Sequence, residues 1–128
     1  MASGKITLAA AMAALVVAAL LPATASAAAY TVGDGSGWDL GIDYTAWAKG
    51  KKFRVGDTLE FLYSLGEAEH NVVVVDATSY ASCSVPSNAP TFTSGDDTIT
   101  LTAPGEWFFI CGIEGHCQDG MYLDINVH

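Results

Sequence analysis

The chain is a series of short apolar runs separated by turn-forming residues. Apolar and polar positions alternate in most of these runs, which predicts β-strands, and the 3.6-residue period of a helix is almost absent. The predicted strands cover residues 30–32, 53–55, 58–63, 70–76, 98–101, 106–110 and 122–127. About seven short strands with turns between them are typical of a sandwich, so we expect an all-β, Greek-key antiparallel β-sandwich with short helical turns.

Three segments depart from this alternation. Residues 72–75 are four consecutive valines, which predicts a strand that is buried on both faces. Residues 44–48 follow Asp43 and are predicted to form one short helical turn that this aspartate caps. Residues 76–94 contain two prolines and no periodic pattern, so we expect a loop there.

The last two predicted strands enclose a loop with distinctive chemistry. Cys111, His116 and Met121 lie there at the spacing C-x4-H-x4-M, among three glycines that let the backbone turn. A thiolate, an imidazole and a thioether suit a soft, late first-row metal ion. One further histidine would complete the His2Cys set with a weak axial Met that defines a blue copper centre.

The order of the strands supplies that histidine. His70 stands at the start of its predicted strand, Cys111 at the end of its strand, and Met121 at the start of the last strand. If the first and third of these strands run opposite to the second, all three residues lie at the same end of the sandwich. His116 lies in the loop at that end, and Asn71 is placed to support either the sulfur of Cys111 or the loop of His70.

The three cysteines, Cys83, Cys111 and Cys117, leave one without a disulfide partner. A metal explains the odd thiol, because a coordinated cysteine is deprotonated and protected by its metal bond. Strand alternation points Cys111 inward with Phe109, towards the expected metal. This favours a disulfide between Cys83 and Cys117, which would also tie down the neighbour of His116. The rival pairing of Cys83 with Cys111 stays open.

Residues 1–27 have the layout of a secretory signal peptide. Lys5 is the only charge before Asp34, residues 8–21 form an apolar run rich in Ala, Leu and Val, and residues 25–27 read Ala-Ser-Ala. The run is short and rich in Ala for a membrane span. We therefore expect cleavage after residue 27, one domain over residues 28–128, and an extracellular location in the apoplast or cell wall. No second apolar run closes the chain, so no membrane anchor is expected.

The charge of the expected mature domain limits its partners. All 14 acidic residues follow the leader, against four basic ones at positions 49, 51, 52 and 54, which gives a net charge of −10. This argues against nucleic acid and anionic membranes as partners. We expect a monomer that meets a small redox partner or a protein electron donor or acceptor.

Copper is the metal that these ligands favour. Copper stands highest in the affinity order of the divalent first-row ions, and thiolate and thioether ligands also suit Cu(I). Zinc prefers Cys, His and carboxylate ligands, and Met is a poor substitute for them. A site that accepts both oxidation states suits the transfer of single electrons, with entry through the exposed edge of His116. An alternative is an extracellular cell-wall or signalling module in which copper is secondary. An enzyme is not expected, because three histidines, with His128 terminal, are too few for an additional copper centre.

Five segments of the sequence resemble a plant phytocyanin, a branch of the cupredoxins. The matching segments are residues 30–38, 53–57, 70–74, the Cys83 region and 108–121. The resemblance covers essentially all of residues 28–128. It implies a type 1 copper bound by His70, Cys111, His116 and Met121, and a disulfide between Cys83 and Cys117.

The resemblance also separates the chain from several branches of the family. Met121 stands where stellacyanins carry Gln, and early nodulin-like members lack the copper ligands. Plantacyanins share the short form but are typically basic, whereas this chain is acidic. Uclacyanins usually add a Pro/Ser-rich stalk and a lipid-anchor signal. The sequence therefore lies between plantacyanins and uclacyanins.

Overall fold

Strands in two sheets account for most of the regular structure in residues 26–66 and 69–128, which the computed structural model describes. The strands are β1 (Ala29–Thr31), β2 (Thr58–Leu62), β3 (Val72–Val75), β4 (Thr91–Phe92), β5 (Asp96–Thr100), β6 (Gly105–Ile110) and β7 (Tyr122–Val127). The helices are α1 (Tyr44–Ala48) and α2 (Ala77–Ser82), and a 3₁₀ turn spans Asp34–Ser36. Residues 1–25 of the predicted signal peptide lie outside the described part of the chain.

The two sheets confirm the predicted all-β class. One sheet has the order β1-β2-β5 and the other the order β4-β3-β6-β7. Four of the five strand pairs are antiparallel, but β1 runs parallel to β2, so the sandwich is not purely antiparallel. The reason lies in the connection, because the segment between β1 and β2 holds the 3₁₀ turn and α1 and is long enough for the crossover that parallel neighbours need.

The main hydrophobic core lies between the sheets, and a smaller one lies under α2. Val72 belongs to the main core and Val73 to the smaller one, and both are fully buried. The first half of the valine strand is therefore buried on both faces, as the run of four valines predicts. Val74 and Val75 are only partly buried.

Three local predictions can be compared with the structure. The short helical turn is confirmed: the carboxylate of Asp43 accepts a hydrogen bond from the Ala46 amide at 3.0 Å and caps α1. The predicted loop over residues 76–94 is wrong in part, because it contains α2 and the two-residue strand β4. Asp76 caps α2 through the Ser79 amide at 2.8 Å. Both elements are too short for a hydrophobic period to reveal them.

The predicted strand over residues 53–55 is also wrong in part. Phe53 forms only an isolated bridge to Val127, and the Val55 amide donates to the His128 carbonyl at 3.0 Å, without a strand ladder. The amide of Arg54 is taken by the carboxylate of Asp57 at 2.9 Å, and the Asp57 amide donates to the Arg54 carbonyl at 3.0 Å. The chain therefore turns here instead of continuing as a strand.

Candidate metal centre

The strand pairing brings the predicted ligands to one end of the sandwich. Both β3 and β7 run antiparallel to β6. The residues just before β3, just after β6 and just before β7 therefore meet at the same end. These residues are His70, Cys111 and Met121, and the loop that carries His116 connects β6 to β7.

Three donor atoms converge at this end. The Cys111 Sγ lies 3.5 Å from the His116 Nδ1 and 4.0 Å from the His70 Nδ1, and the two Nδ1 atoms are 3.1 Å apart. A divalent first-row ion such as zinc binds nitrogen and sulfur at about 2.0–2.3 Å, so donors around one ion lie roughly 3–4 Å from each other. The three atoms have the spacing of ligands to a single ion. Within the described ranges this is the one cluster of at least three such side chains at that spacing.

The chemistry of the thiol agrees with a metal site. Cys111 is 1% exposed and is not part of a disulfide. Burial raises the pKa of the Cys111 thiol, and backbone hydrogen bonds with Asn71 and Ile113 oppose part of that rise. A buried thiol of this kind is a poor anion on its own, but a bound cation stabilises the thiolate directly.

Met121 lies in the core next to the backbone of the site. It is fully buried in the core cluster that also contains Cys111. Its carbonyl accepts from the Cys111 amide at 3.0 Å, and its amide donates to the His116 carbonyl at 3.0 Å. The backbone around the thioether is therefore bonded directly to the residues that carry two of the other donors.

An unpredicted residue, Asp39, supports His70. The His70 Nε2 lies 3.1 Å from the Asp39 Oδ1. When Nε2 carries the proton and donates it to the carboxylate, the Nδ1 that faces Cys111 is free to bind a metal. Asp39 lies 31 residues away in the sequence and belongs to no recognisable motif, so neither spacing nor pattern indicates this contact.

The segment that carries Asp39 is held by Tyr44. The Tyr44 hydroxyl donates to the Gly37 carbonyl at 2.7 Å and accepts from the Asp39 amide at 2.7 Å. Burial raises the pKa of Tyr44 to about 12, and Asp39 makes opposing contributions through the backbone bond and its charge. The phenol thus stays protonated at physiological pH and holds this rim of the site.

Asn71 connects the two strands that carry His70 and Cys111. Its Oδ1 accepts the Gly112 amide at 2.6 Å, so the loop after Cys111 is tied to the start of β3. Its own carbonyl accepts from the Trp38 indole at 2.9 Å. Position 112 is tightly packed, because an added Cβ would lie 3.0 Å from a methyl of Val73 and 3.2 Å from the Asn71 Oδ1, so a larger residue would displace these side chains.

Trp38 contributes both to the core and to the site. It is 1% exposed and packs edge-on against Phe61, with ring centroids 5.1 Å apart. Its indole also donates the hydrogen bond to the Asn71 carbonyl, which ties the segment after the 3₁₀ turn to the residue before β3. A polar partner is usual for a buried indole, which is the signal that could have indicated this contact.

The disulfide joins Cys83 and Cys117, with a Cα–Cα distance of 5.7 Å. The rival pairing of Cys83 with Cys111 is excluded. Cys83 follows α2 as its C-cap, so the bond fastens that helix to the residue next to His116. Together with the smaller core it stiffens the outer face of the ligand loop.

Comparison with known proteins agrees with the fold and the site. The plastocyanin-like domain family matches residues 38–121. A blue copper protein of Petunia hybrida is 50% identical over 101 residues, covering 77% of this chain and 37% of its own length. Uclacyanin-3 of Arabidopsis thaliana is 48% identical over 101 residues, covering 79% of this chain and 44% of its own length. The chain thus spans less than half the length of these two relatives.

A solved structure gives the same result. Cucumber basic protein, a blue copper protein, is 42% identical and superposes with a TM-score of 0.72, covering 79% of this chain and all of that protein. The fold, the donor cluster and these relatives define a cupredoxin. The chain belongs to the plastocyanin-like domain family and, within it, to the phytocyanins.

Proposed function

We propose that the protein is a secreted type 1 copper protein that carries single electrons outside the cell. The proposed ligands are His70, Cys111, His116 and Met121. The observation that carries the proposal is the buried thiol of Cys111 with the two histidine Nδ1 atoms, all within 4.8 Å of one another. Relatives named as blue copper proteins and the matching plastocyanin-like domain support it.

The protein's part in electron transfer is to hold the ligands still. Bound copper would supply a one-electron Cu(I)/Cu(II) couple that accepts this mixed ligand set. The Asn71–Gly112 hydrogen bond, the Cys111–Met121 backbone bond and the Cys83–Cys117 disulfide each restrain a different part of the loop. A restrained site reorganises little when the charge changes, which suits repeated transfer of single electrons.

The two histidines differ in their access to a partner. His70 is 4% exposed and bonds to the rim through Asp39, whereas His116 is only partly buried. We infer that a partner exchanges electrons at the His116 edge. The net charge of −10 after residue 27 favours a partner with a cationic docking face.

Two features support an extracellular location. The disulfide is typical of oxidising compartments, and the A-x-A sequence before residue 28 is typical of a leader cleavage site. No helix in residues 26–66 and 69–128 has the length and apolar character to cross a bilayer.

Redox cycling of the purified, copper-loaded protein tests this function. We expect an intense thiolate-to-copper absorption band that disappears on reduction by one electron per chain and returns on oxidation, over many cycles. A protein that binds copper but cannot be cycled would contradict an electron-carrier role. If a copper-free Cys111→Ser variant also kept full biological activity, a cell-wall or signalling function would replace electron transfer as the proposed function.

A further inference from the structure

A buried carboxylate lies at the end of the sandwich opposite the metal centre, where the predicted leader meets the domain. Asp57 is 4% exposed, and its Oδ1 accepts the amide of Ala28 at 2.8 Å. Its Oδ2 accepts the amide of Arg54 at 2.9 Å. Ala28 is the residue that becomes the N-terminus if the leader ends at residue 27.

The charge of Asp57 has no counter-charge nearby. Across residues 26–66 and 69–128 no Lys, Arg or His nitrogen lies within 4.0 Å of its carboxylate. A buried carboxylate that meets only neutral amides keeps part of its desolvation cost, and a cation at hydrogen-bond distance offsets that cost. The Ala28 nitrogen already occupies the position that such a cation would need.

We propose that removal of the leader creates this cation: the α-ammonium of Ala28 forms an ion pair with Asp57 that stabilises the mature domain. A leader peptidase and water cleave the Ala27–Ala28 bond. The leader departs with the new carboxylate of Ala27, and the Ala28 nitrogen is left as an amine that takes up a proton. The inference rests on the secretion proposed above and does not depend on copper.

A domain that starts at Ala28 also keeps the backbone contacts that join this segment to β2. The Ala28 carbonyl accepts from the Thr58 amide at 3.0 Å, and Ala29 pairs with Thr58 in the β1–β2 register. Cleavage one residue later would remove both the donor to Asp57 and the acceptor for Thr58. Cleavage after residue 25 would leave the exposed residues Ser26 and Ala27 in front of the Ala28 nitrogen and carry the charge away from Asp57.

Three basic side chains face the same cleft and act against the new charge. Lys51, Lys52 and Arg54 line this cleft of about 510 Å³ together with residues 26–28. The Lys51 ammonium bonds to the Trp47 carbonyl at 2.7 Å, and Lys52 and Arg54 are exposed, so water screens their repulsion. The contact with Asp57 is direct and half-buried, and Asp57 itself is buried, so attraction prevails at the Ala28 nitrogen.

The first test is the N-terminus of the protein secreted from the full chain. Intact mass and N-terminal sequencing of secreted protein are expected to give Ala28 as the first residue. A start at residue 26, or at Ala29, would overturn the proposal, and the copper spectrum of the same sample would report separately on the metal centre.

The second test separates the ion pair from an ordinary amide contact. The mature protein that starts at Ala28 is compared with a form that carries one added glycine before it, which keeps the amide donor but moves the charge. Each is prepared with Asp57 and with Asp57→Asn, and Asp96→Asn on the exposed side of β5 serves as the matched control. We expect the added glycine to raise the unfolding equilibrium constant roughly 10- to 100-fold with Asp57 or with the Asp96→Asn control.

The effect should vanish in the Asp57→Asn pair and weaken with pH. A raised α-amino pKa in the folded state gives stability that is full below the ordinary value of about 7.7–8.0 and is lost as pH rises through the folded value. The difference between the two N-termini should therefore be largest at pH 6–7 and shrink in alkaline solution. An effect of the glycine that is independent of pH would overturn the ion pair. If Asp57→Asn does not fold, the pH dependence of the two Asp57 proteins decides alone.

Discussion

The two ends of this sandwich are built on different principles. At the metal end, His70 meets Cys111, which is 41 residues away in the sequence, and His116, which is 46 residues away, around a buried thiol. At the opposite end, backbone groups dominate: the Val55 amide bonds to the His128 carbonyl, and Gly56 and Leu101 are joined by another backbone bond. Among the residues that the structure describes, Asp57 is the one buried charged side chain at that end.

Because of this difference, the copper spectrum should report on changes at the metal end, and the free energy of unfolding should report on changes at the opposite end. Changes at the metal end should alter the properties of bound copper even where the fold survives, since those side chains are the donors and their supports. Changes at the opposite end should alter the free energy of unfolding and leave the copper spectrum unchanged. The two ends are about 17 Å apart along β7, which is long enough for independent effects.

The largest effect is expected from Cys111→Ser. The variant should fold but lose the intense thiolate-to-copper band completely, because serine cannot supply the thiolate. His128→Gln is the matched control, since it removes a histidine at the opposite end and should leave the absorption spectrum unchanged. A normal band in Cys111→Ser, or its loss in His128→Gln, would show that the copper is not bound at the Cys111 end of the sandwich.

The disulfide should provide the next largest effect. Replacing both Cys83 and Cys117 by Ala opens a loop with a sequence separation of 34 residues. The free energy of unfolding should fall by about 3–4 kcal/mol, which urea denaturation of the copper-free protein measures. Copper should also be lost to a chelator faster, because the neighbour of His116 is no longer fastened. Equal chelation rates in the two proteins would show that the disulfide does not restrain the ligand loop.

Asn71→Ala should act on both the fold and the spectrum. It leaves the half-buried Gly112 amide without its acceptor, and the cost should lie towards the lower end of the about 1–3 kcal/mol of a fully buried unsatisfied donor. The copper band should shift as the backbone after Cys111 relaxes. Asn126→Ala, exposed on β7 at the opposite end, is the control and should cost no more than about 0.5 kcal/mol. A band that does not move in Asn71→Ala would mean that this hydrogen bond does not position the sulfur.

Met121→Leu should have the smallest effect on stability. The replacement nearly conserves volume in the core, so the loss should stay below about 1.5 kcal/mol. The reduction potential should rise, because the weak axial ligand is replaced by an apolar group. Voltammetry of the two copper-loaded proteins measures the difference. An unchanged potential would remove Met121 from the ligand set.

The sequence predicts the fold and the convergence of the donors for a clear physical reason. Strand alternation and polarity are periodic signals, and they place Cys111 inward and His70 at the same end as His116. The contacts that orient these residues carry no such signal. Asp39 contacts His70 from the loop after the 3₁₀ turn, Trp38 contacts Asn71 from the same loop, and each contact depends on tertiary packing.

The same limit explains the local errors. The helix α2 has six residues and β4 has two, so neither spans enough positions for a period to emerge. The predicted strand at residue 53 is cut short by the side chain of Asp57, which competes for the Arg54 amide. A turn of this kind depends on a single hydrogen bond from a side chain, which a hydrophobic pattern does not record.

The most direct test of the central claim is the visible and electron paramagnetic resonance spectrum of the wild-type protein titrated with Cu(II). We predict one copper per chain and an intense thiolate-to-copper band that grows in step with it. Copper that binds without this band would contradict the proposed site.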